Sequence, residues 1–131
     1  MKQATKLFAA KGYDGAATEA IVRAARVNKR MLYHWFESKE GLYRAVLEAQ
    51  FVGLGAAFGG LGGQGDLLLQ IVDLSFDHVA AHPEFVRLAM WEGLRGGDTS
   101  RSLWPSTRGP LFAQAAALLH ARAPGFDGKQ L

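Results

Sequence analysis

The helical spacing of apolar residues constrains the fold of this 131-residue chain more than any other feature. Apolar side chains recur every three or four positions almost throughout, and no segment alternates with period two for long enough to form a strand. The chain has no cysteine, which excludes disulfides, thiol catalysis and cysteine zinc sites. It also has no run of eighteen apolar residues that could cross a membrane. We therefore predict an all-α, cytoplasmic protein with no membrane partner.

Positive charge is concentrated in the first half of the chain. Residues 1–50 contain nine lysines and arginines against five acidic residues, whereas residues 51–131 contain six against seven. The net charges are therefore +4 and −1. This asymmetry is typical of a chain with one nucleic-acid-binding end.

Two short predicted helices lie close together near the N-terminus. Thr18 is predicted to cap a helix over residues 19–25, and Asn28 to cap the next helix, which reaches about Phe36. Short helices joined by three or four residues have the spacing of a helix-turn-helix motif. A first helix over residues 2–11, ending at Gly12, and a fourth over residues 39–58, capped by Ser38, are predicted to flank them.

The third predicted helix has two chemically different faces on a helical wheel. The apolar face, which we expect to pack on Phe8, Ile21 and Val27, consists of Met31, Leu32, Trp35 and Phe36. The other face carries Lys29, Arg30, Tyr33 and His34, all of which can donate hydrogen bonds. Such a face suits the major groove of DNA, where cations reach guanine acceptors and phosphates. The alternative is an ordinary solvated, charged helix face.

The N-terminal third resembles the DNA-binding region of the TetR family of bacterial transcriptional regulators. The matching stretches are LFAAKGYDGAAT over residues 7–18, Ile21, the turn at residues 25–27, and NKRMLYHWFESKEGLYRAVLE over residues 28–48. The resemblance implies that the third helix enters the major groove and that the fourth links it to a ligand-binding domain. It also implies that Thr18, Tyr33 and Lys39 bind phosphates of the DNA backbone. The full set of candidate DNA-binding residues is Thr18, Asn28, Lys29, Arg30, Tyr33, His34 and Lys39; the pattern leaves open which of them contacts a base.

The chain departs from the family pattern in three places. The family begins its first helix earlier, and it has glycine where Arg26 stands; a positive φ there would strain the arginine by roughly 1 kcal/mol. Family members also continue into two helices that form the dimer interface. We therefore expect a helix-turn-helix domain at residues 1–48, followed by a truncated helical ligand-binding and dimerisation domain at residues 49–131.

The second half is predicted to consist of three helices after a glycine-rich connection at residues 53–65. These helices span about residues 66–82, 83–94 and 110–123, with a loop before the last. Aromatic and methionine side chains here could line an apolar ligand pocket, or could equally form core. The candidate pocket residues are Phe76, Phe85, Met90, Trp91, Trp104 and Phe112.

His78 and His82 are spaced as metal ligands on one helix, but the pattern supplies no clear further ligand. We therefore predict no metal site, and expect both rings to favour a positive charge at the helix end. No phosphate loop, nucleophile elbow or HExxH pattern occurs, so we predict neither an enzyme nor a cofactor.

Together these patterns predict a ligand-responsive transcriptional repressor associated with the bacterial nucleoid. We expect a homodimer that binds a palindromic double-stranded DNA operator and responds to a small-molecule effector. One alternative is a helical interaction module that pairs with a full-length regulator without binding DNA itself. Another is a ligand carrier with no DNA activity.

Overall fold

A computed structural model describes residues 1–61 and 65–107, together with residues 113, 116–117 and 120–121. The helices are α1 Lys2–Gly15, α2 Thr18–Ala25, α3 Lys29–Phe36, α4 Lys39–Ala57, α5 Leu67–Ala81, α6 Pro83–Leu94 and α7 Asp98–Thr107, with a 3₁₀ turn at Phe58–Gly60. Throughout the described ranges, regular structure is helical, which confirms the all-α prediction. Within those ranges, no helix is long and apolar enough to span a membrane.

Helix α7 lies where the sequence predicted a loop. Its Ser- and Thr-rich segment carries a weak apolar pattern, but Leu103 is almost fully buried in the main core and anchors it. Hydroxyls also satisfy backbone carbonyls, since Ser100 donates to Gly97 and Ser102 donates to Thr99. The helix predicted over residues 110–123 lies mostly outside the described residues; the five that are described there are helical and exposed.

Helix α1 is broken at Gly12, close to where the sequence predicted its end. Gly12 has φ 69° and ψ −178°, after which the chain makes one more turn to Gly15. The indole of Trp91 in α6 lies directly against this break, and its Nε1–H donates to the Ala9 carbonyl at 3.2 Å. A Cβ on residue 12 would approach the Trp91 ring to 2.9 Å. Glycine is therefore required both by the backbone conformation and by the packing of α6 on α1.

One continuous core joins the first four helices to α6 and α7. Its largest fully buried side chains are Phe8, Ile21, Tyr43, Val46, Leu47, Leu88 and Leu103. The ring of Tyr43 contacts the edges of Phe8 and Tyr13 at centroid distances of 5.0 and 5.2 Å. This core includes residues on both sides of the predicted division at residue 48. The helix-turn-helix is thus fixed against the C-terminal helices through α1 and α4.

Candidate nucleic-acid interface

The turn between α2 and α3 is a Schellman motif, a helix end closed by one left-handed residue. That residue is Arg26, with φ 55° and ψ 39°. Its N–H donates to the Arg23 carbonyl at 3.2 Å, and the Val27 N–H donates to the Val22 carbonyl at 3.1 Å. Arg26 therefore has the positive φ under which the sequence predicted strain. A side chain in this conformation costs roughly 1–2 kcal/mol relative to a right-handed residue.

Of the three caps predicted in and beside the helix-turn-helix, two are present. The Asn28 Oδ1 accepts from the Met31 N–H at 2.7 Å, and the Ser38 Oγ accepts from the Gly41 N–H at 2.9 Å. The cap prediction for Thr18 is wrong, because α2 begins at Thr18 itself and the extended residue before it is Ala17. Thr18 therefore lies in the first turn, where the unpaired N–H groups and the positive end of the helix dipole favour an anion.

The predicted polar face of α3 is exposed along its length. Lys29, Arg30, Tyr33 and His34 are all solvent-exposed. On the opposite face Leu32 is buried and Phe36 packs partly against the core. The prediction that Trp35 packs inward is wrong, since this residue is 63% exposed, and Met31 is 39% exposed. A two-turn helix meets the core along one narrow line of contact, so only residues on that line are covered.

Lys29 forms an ion pair that joins the starts of α2 and α3. Its Nζ lies 2.8 Å from the Oε1 of Glu19. The hydrogen bond from Lys29 lowers the pKa of Glu19, and the same contact raises the pKa of Lys29. Both groups thus remain charged at neutral pH. A helical wheel could not predict this pair, because it describes one helix at a time and the pair joins two helices.

Lys39 is partly buried against an aromatic ring. Its Nζ lies 4.6 Å from the ring centroid of Tyr13. The guanidinium of Arg95, from the end of α6, also lies over Tyr13, at 4.0 Å. Such contacts stabilise a cation by about 0.5–1 kcal/mol at exposed sites. Lys39 therefore lies close to the junction between α1, α4 and α6.

A polar cluster connects α6 and α7 to the first turn of α4. Arg95 Nη2 lies 3.7 Å from Glu40 Oε2, and the Thr99 hydroxyl donates to Glu40 Oε1 at 3.1 Å. Glu92 is buried beside these groups, and burial raises the pKa of its carboxyl. Burial also raises the pKa of Tyr43 to about 12. The start of α4, immediately after α3, is therefore tied to the C-terminal helices by charge as well as by packing.

His78 of α5 and His82, which follows the end of that helix, lie close together, with ring centroids 4.4 Å apart and ring planes tilted by 38°. In the described part of the chain, no group of three histidine, cysteine or acidic side chains is arranged to hold a metal ion. His78 is buried, and burial, followed by the charge of His82, lowers the pKa of His78. This shift runs against the expectation that His78 favours a positive charge at the helix end.

The predicted pocket residues lie in different surroundings. Phe85 packs edge-on against Phe51 at 6.3 Å in the core, and Trp91 lies on α1. Phe76 and Met90 are 75% and 65% exposed. The side chain of Trp104 and the whole of Phe112 lie outside what the structure describes. A cleft of about 300 Å³ between α1 and α6 is lined by Lys6, Ala9, Ala10, Pro83, Glu84 and Arg87. Among the candidates whose side chains the structure describes, Phe76, Phe85, Met90 and Trp91, none lines this cleft.

Two short helices joined by a tight turn, with a cationic face exposed on the second, define a helix-turn-helix protein. Residues 1–46 match the family model described as bacterial regulatory proteins, tetR family. The chain therefore carries the N-terminal domain of the TetR family, as its motifs predicted.

Two curated relatives extend this similarity. The chain is 34% identical to the HTH-type transcriptional repressor NicS of Pseudomonas putida, over 77% of this chain and 50% of the relative. It is 34% identical to the HTH-type transcriptional repressor SCO4008 of Streptomyces coelicolor, over 69% of this chain and 45% of the relative. The chain thus spans about half the length of these proteins.

Solved structures extend the similarity beyond the N-terminal domain. The crystal structure of SCO4942 from Streptomyces coelicolor aligns with a TM-score of 0.72 and 28% identity, covering 96% of this chain and 67% of that one. A Mesorhizobium loti protein aligns with a TM-score of 0.65 and 21% identity, covering 92% and 66%; this second match shows the fold alone.

Proposed function

We propose that this chain is a DNA-binding transcriptional regulator that acts as a repressor. The observation that carries the proposal is the exposed face of α3, which presents two cations, a phenol and an imidazole directly after a tight turn from α2. The two curated relatives are named as transcriptional repressors, and this supports repression over activation. The family match over residues 1–46 covers the elements that form this face.

The chemistry of the face fits the major groove. Arg30 can donate two hydrogen bonds to guanine, and the exposed Tyr33 and His34 can donate to phosphate or base edges. The first turn of α2, which begins at Thr18, can bind a second phosphate through its N–H groups. Trp35, which the sequence placed in the core, is exposed at the end of the same helix and adds an indole donor.

The finer parts of the proposal are a homodimer, a palindromic operator and a small-molecule effector bound in the C-terminal helices. A helix-turn-helix dimer places two reading helices about one turn of DNA apart, so a palindromic site follows from two-fold symmetry. The polar cluster of Glu40, Glu92, Arg95 and Thr99 supports communication, because it joins α6 and α7 to the helix that follows α3. The place of action is the bacterial cytoplasm, at the nucleoid.

The test is DNA binding by matched variants, measured by fluorescence anisotropy on a duplex selected by the wild-type chain. Arg30→Ala is expected to weaken the binding free energy for this duplex by about 1–3 kcal/mol, and that for random DNA by less, because it removes a base contact. Lys39→Ala should weaken binding to both duplexes and reduce the salt slope by about 0.9, the value for one phosphate contact. Arg87→Ala is the control, because it removes an exposed cation from α6, outside the motif. It should change neither the affinity for the two duplexes nor the salt slope.

The proposal is wrong if Arg30→Ala and Lys39→Ala bind both duplexes as the wild type does. A folded chain that binds no DNA but captures an intact regulator would instead favour the interaction module. Binding of a small molecule, without salt-dependent DNA affinity, would favour the carrier.

A further inference from the structure

Glu19 occupies an unusual position on the proposed DNA-binding surface. It lies in the first turn of α2, next to Thr18, where a helix N-terminus would otherwise attract a phosphate. Its carboxylate is 2.8 Å from Lys29 Nζ, and it also interacts with the charge of Lys39. Lys29, one of the cations predicted to contact DNA, is therefore already paired with an acidic side chain of the same motif.

The pair is held in solvent rather than in the core. The Lys29 and Glu19 side chains are 53% and 63% exposed. An exposed ion pair of this kind is weak, with a typical strength of 0–1 kcal/mol, so an approaching anion can displace it. A DNA phosphate and the Glu19 carboxylate would nevertheless compete for the same ammonium group, because each is an anionic oxygen acceptor.

On the basis of the proposed function, we propose that Glu19 takes the place of a DNA phosphate beside Lys29 in the free protein and thereby weakens binding to non-specific DNA. Each lysine that contacts a phosphate releases a counterion, which steepens the dependence of log affinity on log salt concentration by about 0.9. While Lys29 remains paired with Glu19, it releases none. Glu19 is thus a positioning residue, which acts through Lys29 and limits how many cations contact DNA phosphates.

The experiment compares Glu19→Gln with the wild type on a random-sequence duplex by fluorescence anisotropy from 50 to 200 mM salt. We expect Glu19→Gln to bind more tightly at 50 mM and to have a salt slope steeper by about 0.9. The ratio of its affinity to that of the wild type should then fall about 3.5-fold between 50 and 200 mM, because a slope difference of about 0.9 acts over a fourfold change in salt. In a Lys29→Ala background, Glu19→Gln should not steepen the slope.

Glu37→Gln is the matched control, because it removes the same charge from an exposed residue at the other end of α3. It should leave the salt slope unchanged. The inference is overturned if Glu19→Gln matches the wild type or Glu37→Gln, or if its steeper slope persists without Lys29. A wild-type chain with no salt-dependent affinity would overturn the proposed function as well, whereas wild-type binding with no effect of Glu19→Gln overturns this inference alone.

Discussion

Substitution of Gly12 by alanine tests how the helix-turn-helix is attached to the rest of the fold. At φ 69° and ψ −178°, residue 12 has a conformation that is essentially restricted to glycine. The break it produces in α1 also receives the Trp91 indole, which donates to the Ala9 carbonyl. One added methyl group therefore opposes both the backbone conformation and the contact between α1 and α6.

The expected loss follows from these two contributions. Placing a non-glycine residue in this region of φ/ψ space costs about 1–3 kcal/mol. The new Cβ would lie 2.9 Å from the indole, so Trp91 must shift and strain or lose its hydrogen bond. Such a bond contributes about 0.5–1.5 kcal/mol. Together we expect Gly12→Ala to lower the free energy of unfolding by about 2–4 kcal/mol.

The assay is urea unfolding at constant temperature, followed by far-ultraviolet circular dichroism and tryptophan fluorescence. Gly93→Ala is the control, because residue 93 lies within α6 and its added Cβ would meet nothing within 4 Å. That variant should gain about 0.5–1 kcal/mol from the better helix propensity of alanine. A loss below about 1 kcal/mol for Gly12→Ala would refute the argument, since strain alone requires at least that much.

Three further substitutions test the local structure. Arg26→Gly should stabilise the protein by about 0.5–1 kcal/mol by relieving the left-handed residue, whereas Arg26→Ala, which keeps the Cβ, should not; equal urea midpoints would contradict this. Asn28→Ala should cost about 1 kcal/mol by removing the α3 cap, and Asn28→Asp should retain most of the stability; the same unfolding assay separates the two. Burial raises the Glu92 pKa above its ordinary 4.5, so the folded state binds this proton more tightly than the unfolded state, and the resulting stability is present below pH 4.5 and lost as pH rises through the folded pKa. Glu92→Gln should therefore have a higher melting temperature than the wild type at pH 7, with a difference that shrinks at pH 4. A difference independent of pH would show that folding does not shift the pKa of Glu92.

The sequence predicted those features of the fold that depend only on residues close together along the chain. The caps at Asn28 and Ser38 each depend on a few neighbouring residues, and the structure confirms them. Gly12, where the sequence predicted the end of a helix, has a positive φ, and so does Arg26, although α1 continues to Gly15. The exposure of the polar α3 face follows from the same helical period. These features define the motif without knowledge of any distant contact.

Contacts between helices could not be predicted in this way. The wheel placed Trp35 in the core because it is apolar, but coverage of that position depends on how α3 meets its neighbours. The Glu19 and Lys29 pair depends on how closely the starts of α2 and α3 approach. Helix α7 is anchored by the buried Leu103, and its Ser- and Thr-rich sequence gives little apolar pattern from which a helix could be predicted. The roles of the candidate DNA-binding residues remain predictions, because they depend on a partner that the chain itself does not specify.

Selection of duplexes from a randomised DNA library at near-physiological salt tests the central claim most directly, because specific binding must exceed the salt-dependent affinity for every other sequence. We expect the wild-type chain to enrich a palindromic sequence, and Arg30→Ala to lose this enrichment while retaining the helical circular dichroism of the wild type. Failure of the folded wild-type chain to enrich any sequence, together with no salt-dependent affinity for duplex DNA, would contradict the assignment of α3 as a DNA-reading helix.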